Sequence, residues 1–288
     1  MIFKRLFEKI LFLIGIKSFR WKLAICEIKN KKVKIQTIFN PGFFEFWADP
    51  FFIKHKNKKY IFFECFNYLS KKGSIQCIEL KDNKIIDKKT ILKKDYHLSY
   101  PHIFSYKKKY YLIPESYENN KTTIYTSTKF PHQWKKINTI FKGEKVCDTT
   151  IIYKNKKFWL FANKSKTNLS EFNKKLYIYR SEKINFKNLK SVKSNPVINK
   201  FYSSRNAGSI YKKNKLFYRP AQINRKNVYG YGFTLNKIIN LDLNKYKQVQ
   251  IFKVTPKSFR NKNICGVHHC DRIEGNTFII DLCFRFSF

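Results

Sequence analysis

The chain has 288 residues, with 60 Lys and Arg against 19 Asp and Glu, a formal charge of +41. Its 43% hydrophobic and 18% aromatic content is far too apolar for a disordered basic tail and requires a folded core. The length is compatible with one large β domain or with two ordinary domains.

So large a positive excess suggests a polyanionic partner: nucleic acid, anionic lipid or an acidic sugar. The lysines, however, fall evenly in short turns such as Lys54 to Lys59, Lys107-Lys108-Lys109 and Lys212 to Lys215, and form no single block. The charge therefore reads mainly as a solvated coat, which argues against nucleic acid.

Residues 1–20 open the chain with Phe3, Leu6, Phe7, Ile10 and Ile14 at helical spacing and Lys4, Arg5 and Lys9 between them. This predicts a short basic amphipathic helix, too short to span a bilayer and without a signal-peptide cleavage site. It has two uses open to it, lying on an anionic inner leaflet or packing against the domain. Cys26, Cys65, Cys77, Cys147, Cys265, Cys270 and Cys283 make an odd set without a CxxC pair. They are expected as reduced core residues of a cytoplasmic protein. A zinc site from Cys265, His268, His269 and Cys270 would need four neighbouring strand residues to converge, so no metal and no cofactor is expected.

From residue 21 onward the chain repeats. Five segments share a small or polar opening, an apolar run, a basic or Asn/Gly turn and an aromatic-rich second run: Asp49 to Glu64, Tyr100 to Glu115, Asp148 to Asn163, Asn206 to Ala221, and His268 to Cys283. Each reads as a β-hairpin, and two further strand candidates follow most of them, such as Gly73 to Leu80 with Thr90 to Leu92, and Thr122 to Thr126 with Ile137 to Phe141. Four strands recurring about every fifty residues describe a propeller blade. The fifth hairpin ends almost at the C-terminus, and Trp21 to Ile28 with Lys32 to Ile38 supply the two strands it lacks. The expected fold is all-β, a single five-bladed β-propeller over residues 21–288, closed by its N-terminal strands.

The starts of the five hairpins should converge at one mouth of the axis, gathering Asp49, Tyr100, His102, Asp148, Arg205, Asn206, His268 and His269, with Glu64 and Glu115 returning to the same face. Carboxylates around a pocket are what glycosidic-bond chemistry needs, one to protonate the leaving oxygen and another to act as base or nucleophile. Asp49, Glu115 and Asp148 are the candidate catalytic residues. The candidate substrate-binding residues are Trp47, as a stacking platform, with Tyr100, His102, Arg205, Asn206, Arg219, His268 and His269. The two arginines suit a carboxylate or phosphate on the sugar. Adjacent strand residues face opposite ways, so only one of His268 and His269 should point into the mouth.

Trp47-Ala48-Asp49-Pro50-Phe51, Ser99-Tyr100-Pro101-His102, Pro114-Glu115-Ser116, Asp148-Thr149-Thr150 and Ser204-Arg205-Asn206-Ala207-Gly208 resemble the N-terminal domain of glucosamine inositolphosphorylceramide transferases and its stand-alone bacterial relatives. That domain is similar in turn to the five-bladed propellers of glycoside hydrolase families 43, 32 and 68. The resemblance implies a base or nucleophile at Asp49 and places Asp148 near the hydrolases' intermediate Asp. The hydrolases carry their general-acid Glu in later blades, whereas Glu115 lies in the second. The chain is thus expected to be carbohydrate-active, through glycosyl transfer in surface-polysaccharide or glycolipid biosynthesis, with a family 43-like hydrolase and a non-catalytic sugar-binding propeller as alternatives. Its expected partners are a sugar or glycan, anionic or a sugar phosphate, and peripherally an anionic membrane.

Overall fold

The computed structural model describes residues 19–29, 31–165, 169–225 and 228–285. The amphipathic segment expected at the N-terminus lies outside them up to residue 18, and Phe19 already begins a strand running to Lys29.

Five antiparallel sheets follow one another around an axis, as the repeat predicts. Blade 1 comprises Glu45–His55, Lys58–Asn67, Lys72–Lys81 and Lys84–Leu92, and blade 2 comprises Ser99–Tyr106, Lys109–Glu115, Thr122–Lys129 and Gln133–Ile140. Blade 3 is built on Lys145–Lys154, Lys157–Ser165 and Lys175–Ser181, with two short outer pieces, and blade 4 on Tyr202–Asn206, Leu216–Arg225, Val228–Leu241 and Tyr246–Val254. Blade 5 takes Ile264–Gly266, Cys270–Glu274 and Thr277–Arg285 from the end of the chain and closes with Phe19–Lys29 and Lys32–Phe39 from its start.

The hairpin turns explain where the lysines sit. Lys107-Lys108, Asn155-Lys156 and Asn214-Lys215 all have positive φ at both positions. Two-residue hairpins favour this left-handed pair because its twist matches that of the strands. The blade faces explain the apolar runs. Leu23 and Ile25 pack against blade 1, while Ala24 and Cys26 pack against blade 4, so one strand is buried on both sides. The same holds around the ring, where five apolar clusters fill the five spaces between neighbouring blades.

On each of the first three innermost strands the ladder breaks at the residue that opens the repeat: between Ala48 and Phe51, Ser99 and His102, and Cys147 and Thr150. Asp49, Tyr100 and Asp148 occupy these bulges with φ of 51°, 42° and 49°. Non-glycine residues hold that conformation only where their surroundings require it. Here the requirement is a relay of amide hydrogen bonds running from blade to blade. The Asp49 amide donates to Asp281 Oδ2 at 3.1 Å, that of Tyr100 to Asp49 Oδ2 at 3.2 Å, that of Asp148 to Glu115 Oε2 at 3.2 Å, and that of Asn206 to Asn163 Oδ1 at 3.0 Å.

The axis itself is plugged. The Tyr100 hydroxyl lies 2.8 Å from Thr150 Oγ1 and accepts the Gly208 amide at 3.0 Å. Gly208 has φ of +130°, and a Cβ there would lie 2.1 Å from the Cys270 carbonyl oxygen. Gly208→Ala is expected to cost at least about 2 kcal/mol, from backbone strain and forced separation of blades 4 and 5, read as a lowered urea midpoint.

Candidate functional site

At the mouth above this plug lies a cavity of about 850 Å³. Asp49, Glu64, Glu115 and Arg205 line it with His97, Asn173 and Lys71, and Phe46, Phe66, Tyr68, Tyr117, Phe172 and Tyr229 form its aromatic walls. Blade 1 supplies Asp49 from the bulge of its innermost strand, the second strands of blades 1 and 2 bring Glu64 and Glu115 to the same face, and blade 4 supplies the arginine.

The three acids fall into two electrostatic states. Asp49 Oδ1 lies 3.2 Å from His268 Nε2 and 3.4 Å from His269 Nδ1, while its Oδ2 accepts the Tyr100 amide. Burial alone would raise its pKa, but the two imidazoles outweigh burial and hold it well below the usual carboxylate range. His268 is wedged between two acids, its Nδ1 2.9 Å from Asp281 Oδ2. Burial opposes its charge, yet the two carboxylates raise its pKa to about 10, so it is an imidazolium at neutral pH.

Glu115 is pushed well above its ordinary value, first by burial and then by the charge of Asp148. Arg205 opposes that shift without cancelling it. Its Nε donates to Asp148 Oδ2 at 2.5 Å, whereas its Nη2 remains 4.0 Å from Glu115. Glu64 is likewise raised, by burial and by Asp49. The His97 imidazole faces Glu64 with Nε2 at 3.5 Å, and its Nδ1 accepts the Gly73 amide at 3.0 Å, which fixes the tautomer. The cavity therefore sets a carboxyl group with lowered pKa beside two with raised pKa values.

The remaining candidates from the sequence have other placements. Asp148 is buried behind Arg205, where it anchors the guanidinium and adds to the upward shift that burial gives Glu115. Trp47 turns away from the mouth and packs between blades 5 and 1 against Phe63, with Lys88 over its ring. Tyr100 is consumed by the axial plug. His102 is buried against Phe51 and Phe104, accepts the Ile151 amide at 3.0 Å, and is driven down to about 3 by burial, so it is neutral.

Asn206 spends its side chain on the Asp148 and Phe161 carbonyls and on Arg219. Arg219 is wholly buried among the carbonyls of Ser203 and Ser204, Asn206 and Gln248. Tyr100, His102, Asn206 and Arg219 thus brace the blades around the mouth rather than line its cavity. His268 and His269 both turn toward Asp49, because neither lies in the regular strand that begins at Cys270. The alternation expected for adjacent strand residues does not apply to them.

Cys270 faces the apolar core between blades 4 and 5, so the four residues weighed for zinc do not converge. Among the described residues, Asp49, His268 and Asp281 bring three ligand-type atoms within 4.8 Å of one another. In this cluster the His268 ring lies between the two acids, Nε2 toward Asp49 and Nδ1 toward Asp281.

Asp281, His97 and most of the aromatic wall were not among the candidates from the sequence, whereas Glu64, expected at this face without an assigned role, does line the cavity. Asp281 had a signal, a lone acid inside the apolar run of Thr277–Arg285. It is wholly buried and accepts the amides of Asp49, His268 and His269. Phe172 and Asn173 belong to a 3-10 turn, Leu169–Asn173, inserted outside the repeat.

Comparison with solved structures agrees with the architecture. A family 117 glycoside hydrolase from Zobellia galactanivorans superposes with a TM-score of 0.59 at 10% identity, covering 93% of this chain and 91% of the other. A family 43 β-1,3-galactosidase bound to galactodeoxynojirimycin gives 0.53 at 12% identity, over 84% and 91%. At such identities the likeness is one of fold.

Sequence relatives include glucosamine inositolphosphorylceramide transferase 1 of Arabidopsis thaliana, 30% identical over 238 residues, and that of Oryza sativa subsp. japonica, 27% identical over 233. The match covers 78% of this chain in each case but only 30% and 31% of the plant proteins, so the chain spans about a third of their length. The family model described as glucosamine inositolphosphorylceramide transferase 1, N-terminal, matches residues 18–277, and the chain belongs to that family.

Proposed function

We propose that this propeller is a carbohydrate-active protein that binds a sugar conjugate in the mouth cavity and transfers a glycosyl group there, in the assembly of a glycan or glycolipid. One arrangement carries the reading: Asp49, whose pKa two imidazoles hold down, shares an aromatic-walled cavity with Glu115 and Glu64, whose pKa values burial and neighbouring carboxylates raise. Neighbouring carboxyl groups whose environments drive their protonation apart can take acid and base roles in one reaction. Glu115 protonates the departing oxygen, Asp49 stabilises the positive charge that develops on the sugar ring or accepts the acceptor's proton, and Tyr117, Tyr229 and Phe46 stack on sugar faces. The names of the plant relatives point to transfer rather than hydrolysis. Seven free cysteines suit a reducing compartment, and we place the reaction in the cytoplasm.

A second reading, sugar binding without catalysis, has its own support. Both oxygens of Asp49 are already occupied by protein groups. Asp49→Asn and Glu115→Gln separate the two when tested with nucleotide-sugar donors, glycan and glycolipid acceptors and aryl glycosides. Transfer by the wild type, falling at least about a hundredfold in each variant while calorimetric sugar affinity changes little, supports the enzyme. Sugar binding without turnover by the wild type selects the binding module, hydrolysis of aryl glycosides alone selects the hydrolase, and neither binding nor turnover rejects the assignment to carbohydrate.

A further inference from the structure

Beside the cavity, four large apolar side chains stand in solvent on one lobe. Phe19 is 47% exposed, Phe43 51%, Phe44 39% and Leu69 63%. Hydrogen bonds draw their segments together. The Tyr68 amide donates to the Phe44 carbonyl at 2.9 Å, the Tyr68 hydroxyl to the Phe19 carbonyl at 3.4 Å, and Arg20 Nη2 to the Pro41 carbonyl at 2.8 Å. The Phe43 and Phe44 rings meet edge to face at 5.0 Å. The lobe continues into the cavity wall, because Phe46 and Phe66 pack on Tyr68 and all three line the cavity.

Scattered exposed apolar residues are ordinary, and several others here lie singly on outer strands. A cluster on loop tips at the rim of a cavity calls for an occupant. We propose that this lobe docks on an anionic lipid bilayer, bringing the mouth of the cavity to the headgroup layer.

Three features favour a bilayer. The first is charge. Lys71 and Lys72 follow Leu69 and are exposed, Lys22 lies near Phe19, and the chain as a whole carries +41. Basic residues held near an anionic lipid surface strengthen its attraction within about a Debye length. The second is where the chain leads. Residues 1–18 join the fold at Phe19, within this lobe, and their sequence adds Phe3, Leu6, Phe7, Ile10 and Ile14 with Lys4, Arg5, Lys9 and Lys17. The third is size. Four half-exposed side chains offer roughly 400 Å², about half of what one partner contributes to a stable protein interface, whereas loop-tip aromatics need only insert into the interface of a bilayer. Among the described residues no helix is long and apolar enough to cross a membrane, so the contact proposed is peripheral.

The proposal is independent of the chemistry in the cavity, and its test uses no sugar. The full chain is sedimented with vesicles of phosphatidylcholine alone or with one-third phosphatidylglycerol, beside a variant combining Phe43→Ser, Phe44→Ser and Leu69→Ser. The wild type should bind the anionic vesicles, and the variant at least about tenfold more weakly with an unchanged melting temperature. The emission added by Leu69→Trp should shift to the blue and be quenched by bromine-labelled lipid. No binding by the wild type, or equal binding by the triple variant, overturns the proposal. So does binding without quenching of the added emission, which means that the lobe is covered by the chain's own residues. Self-association lost in the triple variant instead assigns the lobe to a second copy of the chain and overturns it too.

Discussion

Asp281→Asn is expected to destabilise the fold by about 3–5 kcal/mol, the cost of leaving a buried charge without its partner. Asp281 is wholly buried and accepts the amides of Asp49, His268 and His269, and it is one of the two counterions of His268. An asparagine keeps the shape but loses the charge, and one of its two polar ends is a donor facing other donors. Against the roughly 5–15 kcal/mol that holds a typical domain together, the loss is severe.

The same substitution should change the pH dependence of stability. His268 is raised to about 10 from an ordinary 6.5, so between those values the folded chain holds a proton that the unfolded chain has released. Its contribution is complete below the lower value and is lost as pH rises toward the upper one. The wild-type urea midpoint should therefore decline across that window, and the decline should be shallower in Asp281→Asn. A variant with wild-type midpoints throughout would contradict the role given to Asp281.

Arg219→Met should cost a similar amount, about 3–5 kcal/mol, for a different reason. Among the described residues Arg219 has no carboxylate partner. Its Nε donates to Asn206 Oδ1 at 2.9 Å, Nη1 to the Ser203 carbonyl at 2.9 Å and to Gln248 at 3.1 Å, and Nη2 to the Ser204 carbonyl at 2.5 Å. Burial lowers its pKa accordingly. A methionine fills the space but strands the buried acceptors of Ser203, Ser204 and Asn206, and the strand they belong to carries Arg205. Arg219→Lys should recover only part of the loss, since one ammonium cannot span the fork. Urea unfolding of the three proteins reads the effect. Wild-type stability in Arg219→Met would show that packing alone suffices at this position.

The fold was legible because its signals are local. Turns of Lys and Asn between apolar runs mark the hairpins, and Leu23 to Cys26, apolar without alternation, announces a strand buried on both faces. At the site, Asp49, Glu115 and Arg205 could be found from their places in the repeat. Tyr100, His102, Asn206 and Arg219 share the same neighbourhood but serve to brace it. A polar side chain aimed at a ligand and one aimed at a buried amide look alike in sequence when the amide belongs to the next blade, about fifty residues away. Asp281 was hidden for the same reason, its three amide partners lying on the far side of the ring closure or beyond a turn. Tyr117 and Phe172 escaped because short insertions have no repeat to be compared with.

The account depends on unlike protonation within one cavity, and a carbon-13 titration of labelled Asp and Glu carboxyls, assigned with Asp49→Asn, Glu64→Gln and Glu115→Gln, measures it directly. Asp49 should stay ionised well below the range in which exposed acids titrate, while Glu64 and Glu115 should remain protonated at neutral pH. If Glu115 instead titrates together with the exposed glutamates, the acid assigned to the reaction is absent and the proposed chemistry fails.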